Sequence, residues 1–186
     1  KALEVFLEID KTYYLKKAEI CLSPNCSERV STEISLLVIH GISLPPGKYG
    51  GGYIEKLFTN QLDPKGHPYF QKISNLKVSS HILIQRDGSI IQFVPLNMKA
   101  WHAGISSYKG REDCNEFSIG IELEGTDETS YTEAQYDSLI EVTIEIMALY
   151  PNIKKDDIVG HSDIAPGRKT DPGESFDWNH YLSGLV

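Results

Sequence analysis

The chain has 186 residues, 40% of them hydrophobic, and a formal net charge of -8. That length supports one well-packed core and is short for two, and the acidic balance, with no local run of Lys or Arg, excludes nucleic acid as an expected partner. No apolar run approaches the length of a membrane span, and Lys1 to Asp10 alternates apolar with acidic residues instead of showing a basic and then an apolar signal region, so a soluble, unexported protein without a membrane partner is expected.

Three cysteines, Cys21, Cys26 and Cys114, are too few and too odd in number for a disulfide framework and fit a reducing, cytoplasmic compartment. The gap between Cys21 and Cys26 lies within zinc-ligand spacing, with Cys114 as a third candidate, but no companion pair appears and free thiols are expected. In residues 1–35, Val5, Leu7 and Ile9 alternate as a short strand would, and Ser23-Pro24-Asn25 marks a turn. No chemistry attaches to that segment. Leu36 to Ile39 is then a continuous apolar run ending in His40, the pattern of an interior strand covered on both faces; ligands in open α/β sheets gather at strand ends. A loop rich in turn residues follows, from Pro45 to Gly52.

Tyr53 to Leu62 reads as a short helix stopped by Asp63-Pro64 and Gly66, and His67 sits in the loop beyond, with a surface or supporting role. His81 to Gln85 and Ile90 to Val94 read as two strands joined through Arg86-Asp87-Gly88-Ser89, a strong hairpin signal. Asn97 to Glu116 lacks periodicity but carries Trp101, His102 and Arg111, as a substrate wall or an exposed connection would. His81 and His102 stay candidate ligands at this point. Phe117 to Glu124 alternates strictly, with Gly120, Glu122 and Glu124 on one face; that face is either simply wet or is cleared by Gly120 for a close approach beside Glu122. Thr132 to Gln135 is a capping box opening a helix to about Tyr150, whose stripe of Tyr136, Leu139, Ile140, Thr143, Met147 and Tyr150 is core packing. Phe176, Trp178, Tyr181 and Leu182 predict a last helix or turn packed on the sheet.

The stretch His161 to Gly173 concentrates the remaining chemistry. Pro172 biases Asp171 toward an extended conformation, which turns Lys169 and Asp171 to one side and Arg168 away, and the Pro166-Gly167 turn folds the chain back so that His161 reaches the same space. A catalytic zinc needs three protein ligands and an open position, and His40, His161 and Asp171 supply a common set. A carboxylate outside the metal's ligands and a cation facing an oxyanion complete a hydrolytic site; Glu122 and Lys169 are the candidates.

The stretches LLVIHGISLPPGKYGG, DPKGHPYF, SSHILIQRDGSIIQFVP, KAWHAGISSYKGRE, CNEFSIGIELEGTD, YPNI and GHSDIAPGRKTDPG resemble, in the same order, those of the zinc N-acetylmuramoyl-L-alanine amidases, above all the cytoplasmic branch that recycles 1,6-anhydro-muropeptides. The resemblance runs from about Leu36 to the end and covers residues 1–35 poorly. It implies one amidase domain over residues 1–186 with its catalytic core in 36–186, and an α/β fold with a central mixed β-sheet flanked by helices, shared with peptidoglycan recognition proteins. It further implies Zn2+ on His40, His161 and Asp171, Glu122 as catalytic glutamate, Lys169 beside the metal, and a monomer acting on an anhydro-muramyl peptide. His81 and His102 match positions that are not ligands. Trp101, Lys77 and Arg111 are the expected substrate contacts, the last two because Asp113 stands where some relatives have Arg; Gly41 stands where Asn is expected. The rivals are a non-catalytic peptidoglycan-binding module, a secreted amidase acting on intact wall, and a zinc peptidase. All three ligand types together with Glu122 favour an enzyme.

Overall fold

A computed structural model describes residues 13–30 and 33–186, so the Val5 to Ile9 alternation lies outside the described residues. In chain order the strands are β1 (Glu19–Ile20), β2 (Cys26–Ser27), β3 (Leu36–Ile42), β4 (Ile82–Ile84), β5 (Ile90–Gln92), β6 (Lys99–Ala100), β7 (Ser107–Tyr108), β8 (Arg111–Glu112), β9 (Ser118–Glu124) and β10 (Ile158–Gly160). The helices are α1 (Tyr53–Phe58), α2 (Phe70–Ile73), α3 (Glu133–Leu149), α4 (His161–Ile164) and α5 (Trp178–Ser183). Six strands form one mixed sheet in the order β1-β5-β4-β9-β3-β10. The four from β4 to β10 are mutually parallel, and β4 pairs antiparallel with β5 through the expected hairpin.

The continuous apolar run of β3 has the physical cause expected of an interior parallel strand, because Leu36 to Ile39 are fully buried between layers on both faces. On one face, Leu37 and Ile39 pack with Ile119, Ile121 and Leu123 of β9 against Tyr136, Leu139, Val142 and Ile146 of α3. The capping box that starts α3 is present: Thr132 Oγ1 accepts from Gln135 N–H at 3.1 Å, and Gln135 Oε1 accepts from Thr132 N–H at 3.1 Å. The buried stripe is turned relative to the sequence pattern. Val142 and Ile146 lie in the core, while Ile140, Met147 and Tyr150 are only partly covered. Helix α5 packs on α3, where a 2.6 Å hydrogen bond joins Thr143 Oγ1 to the Tyr181 hydroxyl, and Tyr181 and Phe176 belong to the core that α3 shares with the sheet. Helix α1 ends at Phe58, short of Leu62, because the Thr59 hydroxyl takes the Glu55 carbonyl and Asn60 turns left-handed at φ 61°.

The opposite face of the sheet is covered in two separate pieces. Helices α1 and α2 bring Leu57, Phe58 and Phe70 onto Leu83 and Phe93, and a smaller group places Ala103, Cys114, Phe117 and Ile164 over Leu36 and Val38. Between them the C-terminal ends of β3 and β9 stay uncovered and a cleft opens. Residues 13–30 contribute to the frame: Leu15 enters the core, β1 extends the sheet edge, and the half-buried Arg29 donates to the carbonyls of Ser118 (2.9 Å) and Leu96 (3.3 Å). No described helix is long and apolar enough to cross a membrane.

Candidate metal centre and active site

Parallel pairing lays the chemistry out before any loop contributes. His40 of β3 stands opposite Glu122 of β9, and β10 pairs Gly160 with Ile39, so His161, the next residue, arrives level with His40. In a parallel ladder, residues opposite one another share a face and lie about 4.8 Å apart. The fourth group comes from the loop after α4, where Asp171 accepts from the Gly41 N–H at 3.2 Å.

The three groups converge. His40 Nδ1 and His161 Nδ1 are 3.0 Å apart, and the Asp171 carboxylate lies 3.4 Å from the first and 3.2 Å from the second. Among the described residues, this is the cluster of His, Cys, Asp or Glu that can hold a metal ion. No cysteine belongs to it, and Cys21, Cys26 and Cys114 are free. Two imidazole lone pairs and a carboxylate so close, nearly all of it buried, call for a cation at their centre. Two nitrogens and one oxygen form a donor set suited to zinc. Both imidazoles offer Nδ1 because their other nitrogens are occupied: His40 Nε2 faces His102 Nδ1 at 2.9 Å, and His161 Nε2 donates to the Ala103 carbonyl at 3.1 Å.

Electrostatics separate the groups by role. Burial lowers the pKa of His40 to about 4, leaving the neutral imidazole a metal requires. Burial also works against the Asp171 carboxylate, but hydrogen bonds and charge from His161 and His40 outweigh it and hold its pKa well below the ordinary range. Glu122 behaves oppositely. Burial, reinforced by Asp171, pushes its carboxyl well above the usual carboxylate range, with Lys169 pulling against the rise. Its Oε2 is buried without a hydrogen-bond partner while Oε1 lies 3.9 Å from His40 Nδ1. An unpartnered, proton-hungry carboxylate beside a metal-binding cluster is the arrangement of a general base.

The cleft over this cluster has a volume of about 550 Å3. One wall is apolar, from Leu44, Pro46, Tyr69, Leu76 and Trp101; the other is polar, from Asp127, Arg168, Lys169 and Thr170. A side recess of about 200 Å3 is lined by Lys77, Trp101, Arg168 and Lys169. The structure therefore brings Lys77, Trp101 and Lys169 to the site. Arg111 lines neither cavity; its guanidinium lies 3.8 Å from the centre of the Phe117 ring and 3.4 Å from Ser35 Oγ. Arg168 does not turn away as alternation predicts. It reaches back to donate to the carbonyls of Ala103 at 2.6 Å and Ile105 at 2.8 Å.

The space beside Glu122 that Gly120 leaves is filled from within the protein. A Cβ on Gly120 would stand 2.5 Å from Cγ of the His102 ring. Glu124 is not part of the cluster, and its carboxylate accepts from the backbone N–H groups of Gly50 and Arg86. His67 is exposed and serves its own loop, accepting from Tyr69 N–H. His81 is a buried structural group, with Nδ1 accepting from Gly120 N–H at 3.1 Å and Nε2 bonded to the Met98 carbonyl at 2.8 Å.

Comparison with known proteins places this geometry. The family model of N-acetylmuramoyl-L-alanine amidases matches residues 30–174. The chain belongs to that family. The 1,6-anhydro-N-acetylmuramyl-L-alanine amidase AmpD of Haemophilus influenzae is 57% identical over 164 residues, which cover 88% of this chain and 89% of that one. Its counterpart in Escherichia coli is 58% identical over 147 residues, covering 79% and 80%. The crystal structure of a selenomethionine derivative of AmpD superposes with a TM-score of 0.92 at 52% identity, covering 94% of this chain and 98% of that chain. The amidase AmiD from E. coli, solved with the substrate anhydro-N-acetylmuramic acid-L-Ala-D-γ-Glu-L-Lys, superposes with a TM-score of 0.61 at 29% identity over 93% of this chain and 61% of that chain. The mixed sheet flanked by helices is thus the amidase fold, and the chain is an amide hydrolase of this family.

Proposed function

We propose that the chain hydrolyses the amide joining the lactyl group of 1,6-anhydro-N-acetylmuramic acid to L-alanine of a stem peptide, with a zinc ion on His40, His161 and Asp171. The convergence of these three donors beside the unpartnered Glu122 Oε2 carries the reading. Substrate class comes from the AmpD relatives and from the anhydro-muramyl peptide in the AmiD complex. Three free thiols suit a reducing compartment, in keeping with a cytoplasmic recycling enzyme.

When bound, zinc would supply a Lewis acid that acidifies water and polarises the amide carbonyl. Glu122, with its raised pKa, takes the proton of the attacking water and keeps it long enough to return it to the leaving alanine nitrogen. Lys169 lines the same cleft and its charge reaches both Glu122 and His40, which suits it to donate to the carbonyl oxygen as charge develops there. Trp101 and the apolar wall would face the sugar, whose anhydro bridge replaces two hydroxyls with one ether oxygen, and Lys77 in the side recess would meet a stem carboxylate. Arg111 is not included, since it lies over Phe117.

The test is mass spectrometry of products after the zinc-loaded enzyme is offered anhydro-muropeptide and intact peptidoglycan side by side. Release of free stem peptide from the anhydro form is expected. Cleavage within the peptide, or preference for intact wall, would redirect the reading to a peptidase or a wall-remodelling amidase.

A further inference from the structure

Two adjacent residues that are not metal ligands touch the far side of both histidines. His40 Nε2 lies 2.9 Å from His102 Nδ1, and His161 Nε2 lies 3.1 Å from the carbonyl oxygen of Ala103. For His40 to present a bare Nδ1 to a cation, its proton must sit on Nε2 and point at His102. His102 Nδ1 must then be the acceptor, which leaves the His102 proton on Nε2, where Ser118 Oγ stands at 3.0 Å to take it. Each ring's proton position is thus dictated by the next.

The dipeptide is itself held from behind. Asn115 Oδ1 accepts from both backbone N–H groups, His102 at 3.1 Å and Ala103 at 2.8 Å. The Arg168 guanidinium shares the Ala103 carbonyl with His161, and that oxygen has a second lone pair to give. Gly120 supplies the room, since any side chain there would collide with the His102 ring.

We infer that the His102–Ala103 dipeptide is a clamp that sets the orientation and the metal-facing nitrogen of both histidine ligands, with Asn115 and Arg168 as its supports. This rests on the zinc reading above and goes beyond it. Metal-bound histidines commonly give their second N–H to a carboxylate or a carbonyl. Here one recipient is a carbonyl and the other a neutral imidazole. The clamp therefore fixes geometry without adding negative charge next to Glu122.

The experiment measures Zn2+ affinity by competition with a chromophoric chelator, together with the visible spectrum of the Co2+-loaded protein as a reporter of ligand geometry. Wild type, His102→Leu, His102→Asn and Asn115→Ala are compared. Far-UV circular dichroism and thermal unfolding of each metal-free protein show which are folded. His102→Leu fills space but cannot accept, and should bind Zn2+ on the order of 10- to 100-fold more weakly with a shifted Co2+ spectrum. His102→Asn places an oxygen where Nδ1 stands and should recover most of the affinity; Asn115→Ala, remote from the metal, should fall between. A folded His102→Leu with wild-type affinity and spectrum overturns the clamp. So does an Asn variant no better than Leu, which would reduce His102 to packing. A wild type that binds no Zn2+ would instead overturn the metal reading itself.

Discussion

At the scale of single residues, Glu122 and Lys169 are set apart from their neighbours by environment, not by type. Glu122 has one oxygen buried without a partner, whereas Glu124, two residues on along β9, is satisfied by backbone donors. Glu122→Gln should keep zinc and fold while turnover falls roughly 10²- to 10⁴-fold, and Glu124→Gln should lose much less. Lys169→Ala should lower kcat and kcat/KM together by about 10²- to 10³-fold with zinc retained, the signature of a donor used in the transition state. Steady-state kinetics with metal analysis on the three variants checks both. Strand ends and Pro/Gly turns in the sequence mark where His40, Glu122, His161, Lys169 and Asp171 gather, and the family resemblance supplies the roles expected of them. The sequence does not show that the long Arg168 side chain doubles back to Ala103, nor that the Arg111 guanidinium lies over Phe117. The partnership of His102, Asn115 and Ser118 left a single trace, Gly120. That trace registers only that something approaches, not what.

At the scale of elements, β3 leaves its partner no freedom where it passes the loop carrying Asp171. A Cβ on Gly41 would lie 2.4 Å from the Tyr131 hydroxyl, which donates to the Pro172 carbonyl at 2.8 Å. The absence of a side chain at position 41, where Asn was expected, thus has a local cause: Tyr131 occupies the space and ties down the Asp171 loop. Gly41→Ala should destabilise by about 1–3 kcal/mol, the scale of overpacking. In a Tyr131→Phe background the nearest ring atom is the Cζ at 3.6 Å, so the added cost of Gly41→Ala should shrink markedly. Urea unfolding of the four proteins in a double-mutant cycle measures this, and equal costs in both backgrounds would count against it. Elements with strong periodicity or caps, β3, β9 and α3, were readable from sequence nearly to their ends. The orientation of α3 was not, because its stripe is decided by which residues meet the twisted sheet.

At the scale of the whole molecule, the buried histidines make the metal-free fold sensitive to acid. Burial, aided by the Arg29 charge, depresses the pKa of His81 from 6.5 to about 3. Between those values the unfolded chain carries a proton at His81 that the folded chain refuses. Stability attributable to His81 is therefore intact above pH 6.5 and is lost progressively as pH falls toward 3, with a slope of at most about 1.4 kcal/mol per pH unit. His81→Gln, whatever its cost at neutral pH, should flatten this part of the stability curve for metal-free protein; an unchanged slope would show that His81 does not contribute it. The larger pattern lies in how the site is divided. His40 and Glu122 are carried opposite one another on adjacent parallel strands, and His161 directly follows the third, β10, whereas the cleft walls come from loops and short helices. The spacing between Glu122 and the two histidines is thus set by the backbone ladder and does not drift when a wall is rebuilt. Exchanging the segment around residues 44–78 for one of different length should alter which muropeptide is accepted and leave the bond-breaking step untouched, which makes this scaffold a tolerant host for loop grafting.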